Sequence, residues 1–298
     1  YPEFFDSRNE KFERWDKLGG SKNKFFTVDK KKFINYFVKI SLKKQQNKYL
    51  IIKNLHLAYH FAKGESLKNK KILFVHTHLI VWTKLFIKLT EIKDFKILHT
   101  IRHPLSSINS PLKTWLTFEG GKNFFPKDLF FQLDLVFNAF KNLKKIGKIY
   151  IIKLEDLHVK NYSTMKKFCN NFKIKHEKCL TRSTKNNLIW WGDIASRKWL
   201  NGINKKFKTN YDTRYFFERD LIFIQNLSEK IIKKYNYNFD YPKKNLIFNL
   251  LPMKCELLVW ENTFKQFFKS YRWKQVLSIP FFYLIRIILL NKFLSGKI

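Results

Sequence analysis

Apolar residues are arranged in two ways along this chain, in short segments and at a helical period. Short, mainly apolar segments are typical of buried strands, and they occur at 72–75, 96–101 and 148–154. Elsewhere apolar positions recur every three or four residues, which predicts helices over 47–63, 81–93, 125–145, 162–171 and 216–235. Strands that alternate with helices of these lengths favour a central parallel sheet flanked by helices.

The last part of the chain is more apolar than the rest. Its residues 276–290 contain Pro280 and Arg286 and fall short of the roughly 20 residues that span a bilayer. Two interpretations remain open, a packed terminal helix and a helix lying on a membrane surface. The second is favoured by the flanking cations Lys265, Lys269, Arg272, Lys274 and Lys292. We expect an α/β domain over 1–245 and an apolar helical extension over 246–298.

Composition restricts the class of protein. Hydrophobic residues at 45% exclude a disordered chain, despite a formal net charge of +36. The lysines are spread over almost every segment, as A/T-rich coding would give, so we expect much of the charge on solvated faces. This charge still attracts polyanions such as nucleotides, nucleic acids and acidic lipid surfaces.

Cysteine usage and the first residues suggest where the protein acts. Its three cysteines have unrelated spacings and predict neither a disulfide framework nor a zinc site, which favours a reducing compartment. We expect a cytoplasmic protein, with peripheral contact on the inner membrane face left open. The sequence starts in polar, aromatic residues without an initiating Met, so we expect an N-terminal truncation.

Polar side chains follow two of the predicted strands. His76 and His78 come after 72–75, while Arg102 comes after 96–101 and Ser110 lies eight residues further on. The carboxyl ends of parallel strands share one edge of a sheet, where open α/β sheets bind ligands. A guanidinium binds phosphate through two parallel hydrogen bonds, and imidazole is a suitable base at neutral pH. These residues predict an anionic ligand beside a histidine base.

Less specific readings of the same residues stay open. His78 also fits a structural histidine, and Arg102 fits a partner of Glu155. Glu155 and Asp156 fit a helix cap. No third ligand lies near the two histidines in the sequence, so we expect no metal. Between residues 190 and 199, Arg197 and Lys198 lie among three tryptophans, which suits either core packing or contact with a nucleotide.

Four segments together resemble the sulfotransferase family that uses 3′-phosphoadenosine 5′-phosphosulfate (PAPS). His76-Thr77-His78 is similar to the family's Lys-Thr-His, and the stretch from Ile101 to Ser110 resembles its strand, loop and helix with Arg and Ser at this separation. Residues 154–157 resemble its Tyr-Glu-Asp segment, and Arg197-Lys198 with Gly202 resembles its basic Arg-Lys-Gly loop. The likeness extends from about residue 70 to 240.

The resemblance implies a P-loop-NTPase-like sulfotransferase fold and an enzyme that moves a sulfuryl group from PAPS to an acceptor hydroxyl. It implies that Arg102, Ser110, Arg197 and Lys198 bind the 3′-phosphate of PAPS and that His78 is the catalytic base. The expected acceptor is a saccharide, a small molecule or a lipid, and no metal takes part.

The chain departs from the family in one important segment. The family's phosphosulfate-binding loop is missing, and residues 19–22 lack the preceding strand that it needs. We therefore place this loop upstream of Tyr1 and expect residues 1–298 to be inactive alone. Two other functions remain open, a nucleotide-dependent, membrane-associated glycosyltransferase and a basic nucleic-acid-binding protein. Since no recognised binding motif is present, we expect no specific nucleic acid partner.

Overall fold

A computed structural model describes most of the chain. It covers residues 1–42, 47–68, 72–77, 80–118, 124–143, 149–194, 199, 203, 213–238, 250–270 and 273–294. Residue contacts divide the chain into two compact units. Unit 1 comprises Tyr1–His99 and Lys148–Phe207, and unit 2 comprises Thr100–Gly147 and Lys208–Ile298. The predicted boundary between residues 245 and 246 lies outside the described residues and stays a prediction.

Helices dominate both units. In chain order the helices are α1 Lys30–Ser41, α2 Lys48–Ala62, α3 Ile80–Thr90, α4 Pro104–Phe118, α5 Pro126–Leu143, α6 Leu154–Val159, α7 Asn161–Phe172, α8 Glu218–Leu227, α9 Glu229–Tyr235, α10 Lys254–Ser270 and α11 Trp273–Leu294. The strands are β1 Ile97–Ile101, β2 Ile149–Lys153, β3 Thr184–Lys185 and β4 Leu188–Ile189.

The strands form two small sheets. β1 pairs with β2 in a parallel sheet, so the strands predicted over 96–101 and 148–154 are confirmed. β3 and β4 form an antiparallel hairpin in which Thr184 faces Ile189. Its turn residues Asn186 and Asn187 have φ of 53° and 65°, a left-handed conformation that asparagine tolerates and that matches the twist of the hairpin. The protein is a helix-rich α/β chain with a small parallel sheet.

The prediction of a strand over 72–75 is wrong. Residues 72–77 form neither strand nor helix, and the side chains of Ile72 and Phe74 are 55% and 63% exposed. An apolar run becomes a strand only where a neighbouring strand accepts its hydrogen bonds. Within the described ranges, no strand pairs with this segment. Instead, the Thr77 hydroxyl lies 2.6 Å from the hydroxyl of Thr83 in α3.

The helices predicted from the 3.6-residue period are confirmed, with one difference. The helix expected over 216–235 is divided at Ser228 into α8 and α9. Side chains define several helix ends: the Asp29 carboxylate accepts a hydrogen bond from Lys32 N at 3.0 Å, and the Asn47 amide oxygen accepts one from Leu50 N at 2.8 Å. Each satisfies a backbone donor that the first turn of a helix leaves unpaired.

The core of unit 2 lies between α4, α5, α8 and α10. Apolar side chains from these helices are almost fully buried against one another, among them Leu105, Leu133, Ile224 and Val259. Unit 1 has smaller clusters, one around Leu18 and Phe26 and another around Ile152, Phe168 and Cys169. The three cysteines are free thiols. Cys169 and Cys255 are buried and Cys179 is exposed.

A buried ion pair holds α11 against α10. Arg286 in α11 is 2% exposed, and its Nε and Nη2 donate to the two carboxylate oxygens of Glu256 at 2.9 Å each. Nη2 also donates to the carbonyl of Leu251 at 3.2 Å. A guanidinium removed from water needs such a set of acceptors, because an unpaired buried charge is very costly.

Buried carboxylates also define the starts of α8 and α10. Asp220 accepts backbone hydrogen bonds from Phe217 and from Lys254, both at 2.8 Å, which joins α8 to α10. Glu256 accepts from the backbone N–H of Met253 at 2.8 Å. Burial raises the pKa of both carboxyl groups, and Arg286 counteracts this only in part. The hydrogen bonds to these carboxylates also oppose the increase in pKa.

Removal of one partner of this pair tests its importance. We expect Arg286→Ala to lower the free energy of unfolding by about 3–5 kcal/mol, because Glu256 is left as an unpaired buried charge. Chemical denaturation followed by circular dichroism measures this loss. The control is Lys265→Ala, which removes an exposed i,i+4 pair with Glu261 and should cost below about 0.5 kcal/mol. Equal, small losses in the two variants would contradict the assignment.

Candidate functional site

The connection between β1 and α4 carries the predicted phosphate-binding arginine. β1 ends at Ile101, which is 5% exposed, and α4 begins at Pro104. Proline suits a first helical turn because its fixed φ fits the helix and the N–H that it lacks would be unpaired there. Arg102 therefore lies two residues before the first residue of α4 and is half-buried. This position combines a guanidinium with the partial positive charge of α4.

One side of α4 is polar. Ser106, Ser110 and Lys113 follow one another at i, i+4 and i+7, so they share a side of the helix. Ser106 is 2% exposed, while Ser110 and Lys113 are exposed. The opposite side, with Leu105, Ile108 and Leu112, is fully buried in the core of unit 2. The core thus holds α4 in one rotation and turns the predicted Ser110 towards solvent.

Lys113 was missed by the sequence reasoning. It lies one turn beyond Ser110 on the same side of α4 and adds a positive charge there. The signal in the sequence was the i, i+3 spacing from Ser110.

Two further polar side chains at this corner are buried. His103 is 4% exposed, its Nε2 lies 3.3 Å from the carbonyl of Asn238, and its ring meets that of Tyr237 edge to face at 5.4 Å between centroids. This histidine connects the start of α4 to the residues that follow α9. Asn109 is 5% exposed, and within the part of the chain that the structure describes no donor reaches its Oδ1.

Three of the predicted site residues cannot be placed. His78, Arg197 and Lys198 lie outside the described residues, and their roles stay predictions. His76, the other histidine of the motif, is exposed on the segment before α3. Of the predicted set, Arg102 and Ser110 are therefore the two whose positions are known: Arg102 lies in the connection between β1 and α4, and Ser110 lies within the second turn of α4.

The tryptophans of the 190–199 segment anchor it to the N-terminal residues of unit 1. The indole N–H groups of Trp190 and Trp191 donate to the carbonyls of Glu13 and Gly19, each at 2.6 Å. The Arg14 guanidinium donates to the carbonyl of Trp191 at 3.2 Å. These two tryptophans are half-buried and have a structural role. For Trp190 and Trp191, this supports packing rather than contact with a nucleotide.

Trp199 differs from the other two tryptophans. Its side chain is 43% exposed, and three cations surround its ring, with distances to the ring centroid of 4.4 Å for Arg14, 4.3 Å for Lys22 and 6.0 Å for Lys17. Cations at these distances are attracted by the negative face of an indole ring. An exposed ring among cations is also the type of surface on which a nucleic acid base stacks.

Gly19 has a structural explanation. Its φ is +78°, and an added Cβ would lie 2.8 Å from Cδ of Lys24. Leu18 and Lys24 exchange backbone hydrogen bonds at 2.8 and 2.9 Å across this turn. Residues 19–22 thus belong to a tight turn enclosed by the isolated bridge between Leu18 and Lys24. This agrees with the sequence argument that they are not a phosphosulfate-binding loop.

The two acidic residues after β2 begin a helix. Glu155 and Asp156 occupy the first turn of α6, where negative side chains interact favourably with the helix dipole. The helix-end interpretation thus accounts for their position. Among the residues that the structure describes, no group of three or more His, Cys, Asp or Glu side chains could hold a metal ion.

None of the helices in the described ranges has both the length and the apolar character needed to cross a bilayer.

Comparisons with known proteins identified no relative. No protein-family model, no curated protein and no solved structure matches this chain.

His99 in β1 provides a pH test of the strand that precedes Arg102. Burial lowers the pKa of His99 below its ordinary 6.5. As the pH falls below this value, the unfolded chain takes up a proton that the folded chain resists, so stability decreases. We expect His99→Gln to show a smaller loss of unfolding free energy between about pH 7.5 and about pH 5 than the wild type.

Chemical denaturation at the two pH values measures this difference. Burial also lowers the pKa of His56, but His56 is present in both proteins and its effect cancels in the comparison. Identical pH dependence in the two proteins would show that His99 does not contribute.

Proposed function

We propose that this chain is a sulfotransferase that transfers a sulfuryl group from PAPS to an acceptor hydroxyl. The observation that carries the proposal is the position of Arg102, half-buried between the buried end of β1 and the N-terminus of α4. A fixed cation at a helix N-terminus after a parallel strand is an anion-binding arrangement. The ordered motifs from His76 to Lys198 supply the reason for choosing PAPS among anionic nucleotides.

In this proposal the polar side of α4 recognises the 3′-phosphate. Arg102 donates two parallel hydrogen bonds to phosphate oxygens, and the exposed hydroxyl of Ser110 adds a third donor. Lys113, one turn further along α4, contributes a second positive charge. Arg197 and Lys198 close over the phosphate from the tryptophan-rich segment, as the family resemblance implies.

The chemical step needs a base and an in-line arrangement. The acceptor oxygen forms a bond to sulfur while the bond between sulfur and the 5′-phosphate oxygen breaks, and His78 takes the proton of the acceptor hydroxyl. Adenosine 3′,5′-bisphosphate leaves with the electrons of the broken bond. A positioned histidine base contributes about 10²–10⁴-fold to such a rate. The acceptor belongs to the hydroxyl-bearing saccharides, small molecules or lipids.

Binding of adenosine 3′,5′-bisphosphate tests the proposal without turnover. We expect the wild-type chain to bind it in titration calorimetry, and Arg102→Ala to bind about 10- to 100-fold more weakly, because a charge-assisted pair is lost. Adenosine 5′-monophosphate, which lacks the 3′-phosphate, should bind weakly to both proteins. Ionic strength must be physiological or higher, since the +36 charge attracts any anion at low salt.

Arg182→Ala is the matched control for this experiment. Arg182 is exposed and belongs to neither the β1–α4 connection nor α4, so the substitution removes the same charge from another element and should leave the affinity unchanged. Equal affinities of wild type and Arg102→Ala for the bisphosphate would refute the assigned role of Arg102. Salt-sensitive binding of long single-stranded oligonucleotides, with no preference for the bisphosphate, would instead favour a nucleic-acid-binding protein.

A further inference from the structure

The outer face of α11 carries a continuous apolar stripe. Its five large side chains are between 52% and 63% exposed. They are Trp273, Leu277, Phe281, Leu284 and Ile288. Their spacing of three or four residues places them on one face of the helix, over a length of about 22 Å. No charged residue interrupts the stripe.

The opposite face of α11 is fixed by packing inside unit 2. Phe282 meets Phe130 of α5 with ring centroids 5.6 Å apart, and Tyr283 meets Trp260 of α10 at 5.4 Å. Arg286 forms the buried pair with Glu256. On a helical wheel Arg286 lies about 180° from the centre of the apolar stripe, and Phe282 and Tyr283 lie about 120–140° from it. Rotation of α11 would separate Arg286 from Glu256 and leave both charges buried without a partner. The stripe therefore stays on the outer face of the helix.

An exposed apolar stripe of this length indicates an interaction surface. Single exposed hydrophobic residues are common in soluble domains, but contiguous apolar patches mark contacts with proteins or membranes. α10 adds Phe264 and Phe268, which are 45% and 77% exposed. The chain therefore displays large side chains on two helices that pack against each other.

A second copy of the chain is a poor occupant for the stripe. Pairing would bring together two chains that each carry a formal charge of +36, and like charges repel.

An anionic bilayer matches both properties of this surface. Apolar side chains enter the boundary between headgroups and acyl chains, while cations beside them meet the acidic headgroups. Exposed Lys274 directly follows Trp273, the first residue of the stripe. The ammonium of Lys274 is 5.7 Å from the Trp273 ring centroid, which pairs an aromatic ring with a cation at one end of the stripe. Tryptophan is enriched at membrane interfaces.

We propose that the outer face of α11 docks on the surface of an anionic membrane. The helix axis lies parallel to the membrane plane, with the five stripe residues inserted and the Arg286 face held in the protein. The docking does not depend on the proposed sulfotransferase activity, since it uses neither Arg102 nor α4.

Vesicle sedimentation with the full chain tests the proposal. The probes are vesicles of phosphatidylcholine alone and vesicles of phosphatidylcholine mixed with phosphatidylserine. We expect the wild type to pellet with the mixed vesicles and to bind the neutral ones more weakly. The combined variant Leu277→Gln, Phe281→Gln, Leu284→Gln should bind the mixed vesicles about tenfold more weakly or worse, because its apolar contact is lost while its charge is unchanged.

A matched control uses the same substitution chemistry on another helix. Ile34, Val38 and Leu42, in and after α1, are 45%, 46% and 81% exposed, and replacing all three by Gln should leave vesicle binding at the wild-type level. Glutamine keeps a good helix propensity, and circular dichroism checks that each variant is folded. As a second readout, brominated phosphatidylcholine should quench the fluorescence of the wild type more than that of Trp273→Phe.

Three results would overturn the proposal. The first is a wild type that does not pellet with the mixed vesicles. The second is a stripe variant that binds them as well as the wild type, which would mean that charge alone drives binding. The third is self-association of the wild type in light scattering that the stripe variant lacks, which would assign the surface to a second copy of the chain.

Discussion

The pair between Arg286 and Glu256 is the constraint on which the arrangement of unit 2 depends. Both side chains are almost fully buried, and the guanidinium meets the carboxylate through two hydrogen bonds of 2.9 Å. Such a pair has one productive geometry, so it sets the rotation of α11 about its own axis. The apolar side chains on the far face are exposed as a direct result.

The same carboxylates also organise the helix starts around them. Glu256 accepts from Met253 N as well as from Arg286, and Asp220 accepts from the backbones of Phe217 and Lys254. Each acid therefore satisfies donors from two parts of the chain. Loss of one acid would expose several unpaired donors together, because α8, α10 and α11 meet at these two groups.

Helices and strands of this fold could be predicted where the sequence of a short segment is enough to determine its structure. β1, β2 and most helices were predicted because apolar period and polar boundaries are properties of short segments. The segment 72–77 shows the limit of this reasoning. Its apolar residues resemble those of β1, but a strand needs a partner, and pairing depends on residues far away in the chain. The same dependence explains why the ion pair was missed: an isolated Arg286 in an apolar run requires a carboxylate, yet nothing local selects Glu256, 30 residues earlier.

The candidate site divides in a similar way. Arg102 and Ser110 were predicted from one strand and the helix after it, and the structure places Arg102 in the connection between β1 and α4 and Ser110 in α4 itself. The cations around Trp199 were not predicted, since Arg14, Lys17 and Lys22 belong to a part of unit 1 that is distant in sequence. Long-range contacts of this kind have no signature in the spacing of residues.

The distribution of thiols gives each unit its own reporter of local opening. Cys169 is buried in unit 1, Cys255 is buried in unit 2, and Cys179 is exposed. Burial also raises the pKa of the Cys255 thiol, which keeps it in the unreactive protonated form. An alkylating reagent would therefore modify Cys179 in the native chain, while the slower modification of the other two would time the opening of each unit separately.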